Sequence, residues 1–491
     1  MKGRRPRART RIERDSIGPK AVPADALYGI FTQRARETFT LSGLRAHPAF
    51  IRSLGMIKKA AAATNRRLGL LPPRPARAIE WAAEQVWANR VDEAFVLDAF
   101  QAGAGTPHHM NANEVIANLA NERLGGRRGV YAPVHPNNHV NLGQSSNDVI
   151  PTAARLTALQ LLGPLREELS RLERAFRTQA RAAAHVLKPG RTHLQDAVPI
   201  TFGQVFAGYA DALARARRGL DRCRADLLEI GLGGTAVGTG ITAHPRFRRL
   251  VVRALARIAR LPLRPARSPV ETTWNMATLV RCSAALRELA LTLSKIGFDL
   301  RLLASGPHTG LGELTLAPVE PGSSIMPGKI NPSVPEAVQM VCFQVMGNDA
   351  SIARAAEAGE LELNVMTPLI AFDLWWSLEL LTHALCLLRA RCVEGLRVDR
   401  RRARALVEGS LIQATALSPY LGYDVTAALV KEALARGRPL REVVLARGLV
   451  DAAALGRLLS PLALTGPQRL DARLRRRLQS SAAIRAFREK I

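Results

Sequence analysis

Residues 322–332 read Gly-Ser-Ser-Ile-Met-Pro-Gly-Lys-Ile-Asn-Pro. Two hydroxyls, two glycines, a lysine and a carboxamide between prolines compose a shaped loop suited to closing over an anion. Glycine permits close backbone approach and positive φ, while Pro327 and Pro332 fix φ and stop a helix from running through. Other small donors sit in turn-like or glycine-containing segments: Thr106, Ser145, Ser146, Asn147 and Thr192, the last beside His193. With Ser323, Ser324, Asn331 and the cation of Lys329 they form a set fit for a dicarboxylate. Taking a proton from the carbon next to a carboxylate builds a second negative charge on a group already charged. An elimination of this kind therefore needs donors aimed at where that charge develops.

Some of these residues carry a plainer reading. Asn147-Asp148 ahead of Pro151 also fits a helix-start cap, and His193 alone fits a hydrogen-bonded structural histidine. His135, His139 and His383 are read as structural. The glycine run at 233–240 follows no strand pattern, so it is expected as a tight backbone loop and not as a dinucleotide site.

The elements that must position these groups are helices. Apolar residues recur at helical spacing over 151–185, 200–229, 272–304 and 334–396, with Pro and Gly between the stretches. Long helices joined by functional loops describe a bundle. The fold is expected to be mainly α, in three domains: a mixed, mostly helical one over 1–144, a long-helix bundle over 145–396 that carries the 322–332 loop, and a small helical one over 397–491. A content of 47% hydrophobic but only 5% aromatic residues favours aliphatic helix packing over β-sandwiches. Helices so long and rich in Ala and Leu would expose a wide apolar face in a monomer, so self-association is expected.

A formal charge of +29 invites a nucleic-acid reading. The arginines, however, are spread along helical stretches without interleaved aromatics, so no specific nucleic-acid partner is expected. Cys223, Cys282, Cys342, Cys386 and Cys392 show no paired or metal-ligand spacing, and reduced buried thiols with no metal and no cofactor are expected. No apolar run is read as reaching the roughly 20 residues of a membrane helix, and no signal-peptide core is seen, so a cytoplasmic protein without membrane partners is expected. The basic start, residues 1–9, is read as a short disordered tail.

The 322–332 loop resembles the signature of the fumarase/aspartase superfamily, G-S-S-x-M-P-x-K-x-N. Residues 11–39, 101–114, 135–152, 190–204 and 233–240 resemble its other blocks in order. Arg191-Thr192-His193-Leu194-Gln195-Asp196 and Gly143-Gln144-Ser145-Ser146-Asn147-Asp148 favour the class II fumarase and aspartate ammonia-lyase branch. The resemblance implies the three-domain lyase fold, a homotetramer whose sites draw on several subunits, and reversible β-elimination from a four-carbon dicarboxylate. By motif position it makes Ser323 the base that takes the β-proton, and assigns one substrate carboxylate to Lys329 and Asn331. Ser145, Ser146 and Ser324 receive the other as it gains charge, Thr192 adds a hydroxyl, and Thr106, Asn147 and His193 face the leaving group. Glu336 is paired with His193.

Within the branch, Leu194 with Ala197-Val198-Pro199, residues 299–303 and residues 363–366 look like aspartases, which release ammonia from L-aspartate. The Val134-His135-Pro136 lead-in and Ser145-Ser146-Asn147 look like fumarases, which release water from L-malate. Four positions depart from the pattern: His109 where Asn is usual, Thr242 for Asn, Phe298 for Asn and His308 for Arg. They keep open a third reading, a lyase-fold protein that binds without turnover.

Overall fold

The computed structural model describes residues 9–491, so the basic start read as a tail lies, through residue 8, outside the described residues. The chain is mainly α-helical, with a bundle of long helices, as its periodicity predicts. In chain order, the elements that matter for the site are strands β1 (Thr10–Asp15) and β2 (Gly18–Pro23), helices α1 (Pro48–Arg67), α2 (Thr106–Arg123) and α3 (Ser146–Ala182), strands β3 (Leu187–Thr192) and β4 (Gln195–Thr201), and helices α4 (Phe202–Leu227), α5 (Ala277–Leu303), α6 (Ser333–Glu357) and α7 (Thr367–Leu388).

Two compact units divide the chain. One holds the chain through Glu167, Ala216–Leu291 and Val341–His383; the other holds Glu168–Arg215, Thr292–Met340 and Ala384–Ile491. Within the first, α7 meets α3 through Trp375, whose Nε1 donates to the Ala154 carbonyl at 3.4 Å. Asp349 on α6 accepts from Ser283 Oγ and Arg287 Nη1 on α5, both at 2.7 Å, and Asn348 Nδ2 donates to Ser377 Oγ at 3.0 Å. The β1–β2 hairpin and the chain after it are tied down by Glu114 on α2. That buried carboxylate accepts from the Gly29, Phe31 and Thr32 N–H groups and from Thr32 Oγ1.

Within the second unit, Tyr209 OH on α4 donates to Asp299 Oδ2 on α5 at 2.6 Å, and Gln339 Nε2 on α6 donates to the Ser294 carbonyl at 3.4 Å. The C-terminal residues form short helices around a core of their own that includes Leu417, Leu421, Val425, Leu429, Val444, Leu455 and Ile484.

Two expectations need correction. The stretch 334–396 is not one helix but two, α6 and α7, because Asn364 caps both. Its buried Nδ2 donates to the last carbonyls of α6, at Ala355 and Ala356, while its Oδ1 and carbonyl accept from Met366 N–H and Thr367 Oγ1 at the start of α7. Second, the 27 residues Thr367–Val393 are in fact long and apolar enough to cross a membrane. Ile370, Leu374, Trp375, Leu378, Leu381 and Leu385 are buried on this segment and make it a bundle core helix. Residues 10–23 form the β1–β2 hairpin, and α1 runs for 20 residues.

Candidate active site

The residues singled out above fall into two groups, one in each unit. In the first unit, the turn before α3 is a capping box. Ser145 Oγ accepts from Asn147 N–H at 3.2 Å, and Asp148 reaches back three residues to accept from Ser145 N–H at 3.0 Å. The cap reading of Asn147-Asp148 and the site reading are therefore compatible, since the box holds Ser145, Ser146 and Asn147 in one turn.

Asp148 also does what spacing alone does not reveal. Its other oxygen accepts from Gly233 and Thr235 N–H at 2.9 and 3.0 Å, and Asn147 Nδ2 donates to the Ala236 carbonyl at 2.8 Å. The glycine run is thus a tight loop laced to the Ser145–Asp148 turn, as expected of it. Thr106 opens α2 behind Gly105, whose φ of 83° favours glycine and where a Cβ would collide with Ile150 of α3. That close approach brings the start of α2 against the start of α3, and one turn further His109 Nδ1 lies 2.9 Å from Ser146 Oγ. Gln101, buried just ahead of Thr106, keeps both amide atoms without a hydrogen-bond partner.

Burial pushes the Asp148 carboxyl up to about 6, against the three N–H groups and the Lys58 charge that pull it down. With the folded pKa above the unfolded one, this group's contribution to stability is complete below the ordinary carboxylate range and is lost as pH rises through about 6. Asp148→Asn turns an amide N–H toward one of the N–H donors. It is expected to lower the melting temperature at pH 7 by about 2 °C and to flatten this group's pH slope. Calorimetry at pH 5 and 7 checks this; a variant that melts like the wild type at both would show that Asp148 is not the tie.

In the second unit, Thr192 and His193 stand at the exposed tip of the β3–β4 hairpin. The turn residues His193 and Leu194 have φ of 56° and 61°, a two-residue turn that usually selects Asn-Gly. Two residues before the turn an ion pair anchors the hairpin: Arg191 Nη1 donates to Glu313 Oε2 at 2.6 Å, and Glu313 is fully buried.

The 322–332 loop is stitched across its neck. Gly322 N–H donates to the Lys329 carbonyl at 2.9 Å and Asn331 Nδ2 donates to the Gly322 carbonyl at 2.6 Å; a Cβ on Gly322 would collide with the Lys329 carbonyl. Inside the loop, Ser323 Oγ accepts from Ile325 and Met326 N–H at 3.2 and 3.0 Å. Ser324 and Lys329 are exposed. Glu336, one turn into α6, lies 3.3 Å from Arg301 Nη2, and among the described residues no hydrogen bond joins it to His193. His135 and His139 are engaged with the 135–140 turn, His135 Nδ1 accepting from Asn137 N–H at 3.1 Å and His139 Nδ1 from His135 N–H at 2.8 Å.

Among the described residues, no group of three or more His, Cys, Asp or Glu side chains is spaced to hold a metal ion. The four departures sit in different settings. Thr242 has a φ of 68°, a region where Asn is far better tolerated than a β-branched residue, and Phe298 is half exposed on α5. His308 is exposed, and His109 is buried.

The family model described as Lyase matches residues 18–347, and that described as Fumarase C C-terminus matches residues 414–466. The chain belongs to the fumarase/aspartase superfamily. This lyase is 47% identical over 466 residues to the aspartate ammonia-lyase of Pseudomonas aeruginosa, covering 94% of this chain and 98% of that one. It is 44% identical over 465 residues to fumarate hydratase class II 2 of Bradyrhizobium diazoefficiens, covering 94% and 98%. The crystal structure of a fumarate lyase:delta crystallin from Brucella melitensis bound to cobalt superposes on it with a TM-score of 0.91 at 46% identity, covering 94% of this lyase and 100% of that chain.

Proposed function

We propose that this lyase eliminates ammonia from L-aspartate to give fumarate. The observation that carries the reading is Ser323, whose Oγ accepts two backbone N–H groups inside a loop that also bears Lys329. A serine hydroxyl is too weak an acid to ionise unaided at neutral pH; N–H donors on the oxygen and a nearby cation are what stabilise its alkoxide as a base. Ser323 takes the β-proton. Lys329 holds one substrate carboxylate as a fixed charge, joined by Asn331 through the amide that otherwise holds Gly322. The other carboxylate gains charge as the proton leaves, and Ser145, Ser146 and Ser324 stabilise it with hydroxyl donors, while Thr192 adds one more. Thr106, Asn147 and His193 face the departing ammonia, and Glu336 sets the charge of His193 in the assembled site.

The assembly we propose is a homotetramer joined through the bundle, with each site drawing on more than one copy. The support is apolar exposure on long helices: Leu291 and Phe343 are 53% and 59% exposed in the first unit, Phe298 and Met340 53% and 69% in the second. The five cysteines are all free thiols, which suits the cytoplasm.

Fumarate hydration is the second reading, favoured by relatives of comparable similarity: a class II fumarate hydratase of Chromobacterium violaceum is 46% identical over 443 residues. Absorbance of fumarate formed from L-aspartate or from L-malate by the purified protein decides. Faster formation from aspartate is expected; activity on malate alone would replace the aspartase reading with the hydratase one, and inactivity on both would overturn the two together.

A further inference from the structure

Lys58 is fully buried on α1, a costly place for an amine unless its donors are matched. Three partners surround its Nζ: the acceptors Gln144 Oε1 at 2.9 Å and Asn141 Oδ1 at 3.2 Å, and His109 Nε2 at 2.6 Å. The Gln144 oxygen is pinned there, because its Nε2 is used up on the Val140 and Leu142 carbonyls. With His109 Nε2 as acceptor, these partners match the three N–H bonds of an ammonium. Burial pushes the Lys58 pKa well down, and the neighbouring Asp148 carboxylate, ionised above about 6, pulls it up. His109, itself buried, touches Lys58 through one ring nitrogen and Ser146 Oγ through the other, Nδ1, at 2.9 Å.

An ammonium at 2.6 Å leaves no room for a proton on Nε2. The ring must then carry its proton on Nδ1 and donate it to Ser146 Oγ, which forces the serine's own proton away from the histidine. We propose that Lys58 and His109 form a buried relay that fixes Ser146 as a hydrogen-bond donor to the substrate carboxylate, with His109 the positioning residue. This rests on the assignment of Ser146 to that carboxylate. The opposite sense would need a neutral Lys58 amine accepting from Nε2–H, and would turn the Ser146 hydroxyl inward, leaving only lone pairs to face an anion. His109 stands where the superfamily pattern has Asn, which also offers one donor and one acceptor; leucine offers neither.

The test has two parts. Nitrogen-15 spectra of the histidine-labelled wild type, assigned against His109→Asn, are expected to show Nδ1 protonated and Nε2 bare. The reverse tautomer would overturn the relay whether or not the enzyme is active, so this outcome is separate from failure of the aspartase reading. Kinetically, His109→Leu should lower kcat about tenfold with little change in KM, because the directed proton matters most when the carboxylate gains charge. His109→Asn should recover most of that loss. In the Ser146→Ala background, His109→Leu should cost nothing more. Equal losses from His109→Leu with and without the Ser146 hydroxyl would mean that His109 acts elsewhere, and the proposal would fall.

Discussion

The Ser323→Ala enzyme is expected to lose at least about 10²-fold in kcat, the usual cost of removing a general base, while keeping its fold and oligomeric state. The hydroxyl lies in a loop and contributes no core volume. Its two partners are the N–H groups of the exposed residues Ile325 and Met326, which water can satisfy once the oxygen is gone. A change in melting temperature is therefore expected to be small, since surface substitutions away from buried features stay within about 0.5 kcal/mol. The loss should fall on kcat and leave KM nearly unchanged, because the base acts only as the proton moves. The loop's neck, Gly322 to Lys329 and Asn331, does not involve the Ser323 hydroxyl, so the groups proposed to hold the substrate carboxylate keep their places. If the variant kept more than about a tenth of the wild-type kcat, the base assignment would be rejected and the proton would have to go to another group.

What the sequence made legible follows from what periodicity can report. The stretches 151–185, 200–229 and 272–304 appear as Ser146–Ala182, Phe202–Leu227 and Ala277–Leu303, because a 3.6-residue apolar repeat survives in any helix that buries one face. The break between α6 and α7 is marked in the sequence only by Gly359 and Pro368 within a long apolar stretch, and what joins the two helix ends is the geometry of a single buried Asn364. The β3–β4 hairpin was hidden for a different reason. Its strands of six and seven residues contain Pro189 and Pro199, which argue against a strand except at a sheet edge, and a two-stranded ribbon consists only of edges.

At the candidate site, motif position points to residues that bear hydroxyls and to the loop cation, but not to the buried groups packed around them. Lys58 reads as one more basic residue in an alanine-rich helix, and Glu313 sits in no pattern that spacing can flag. Asp148 was visible as a cap, which it is; its second oxygen, tied to the loop at 233–240, depends on a contact 85 residues away.

Mixing two dead subunits should restore activity that neither has alone. The Ser145–Asn147 turn opens α3, and the hairpin that carries His193 follows its far end. At 1.5 Å per residue, a straight helix of 37 residues, the length of α3, spans about 55 Å. The homotetramer proposed above, with each site drawing on more than one copy, implies that the serine turn, the histidine hairpin and the 322–332 loop of one site come from different copies of the chain. Ser323→Ala and His193→Ala chains, unfolded and refolded together in equal amounts, should therefore form mixed oligomers in which some sites take an intact loop from one parent and an intact histidine from the other. Random assembly with those two residues supplied by different subunits gives about a quarter of sites fully intact, so about a quarter of wild-type activity is expected. Supply of both residues by one subunit gives none, because each chain carries one lesion. Size-exclusion chromatography of differently tagged parents must first show that mixed oligomers form; if they do and stay as inactive as the parents, Ser323 and His193 act within one chain and the shared site is wrong.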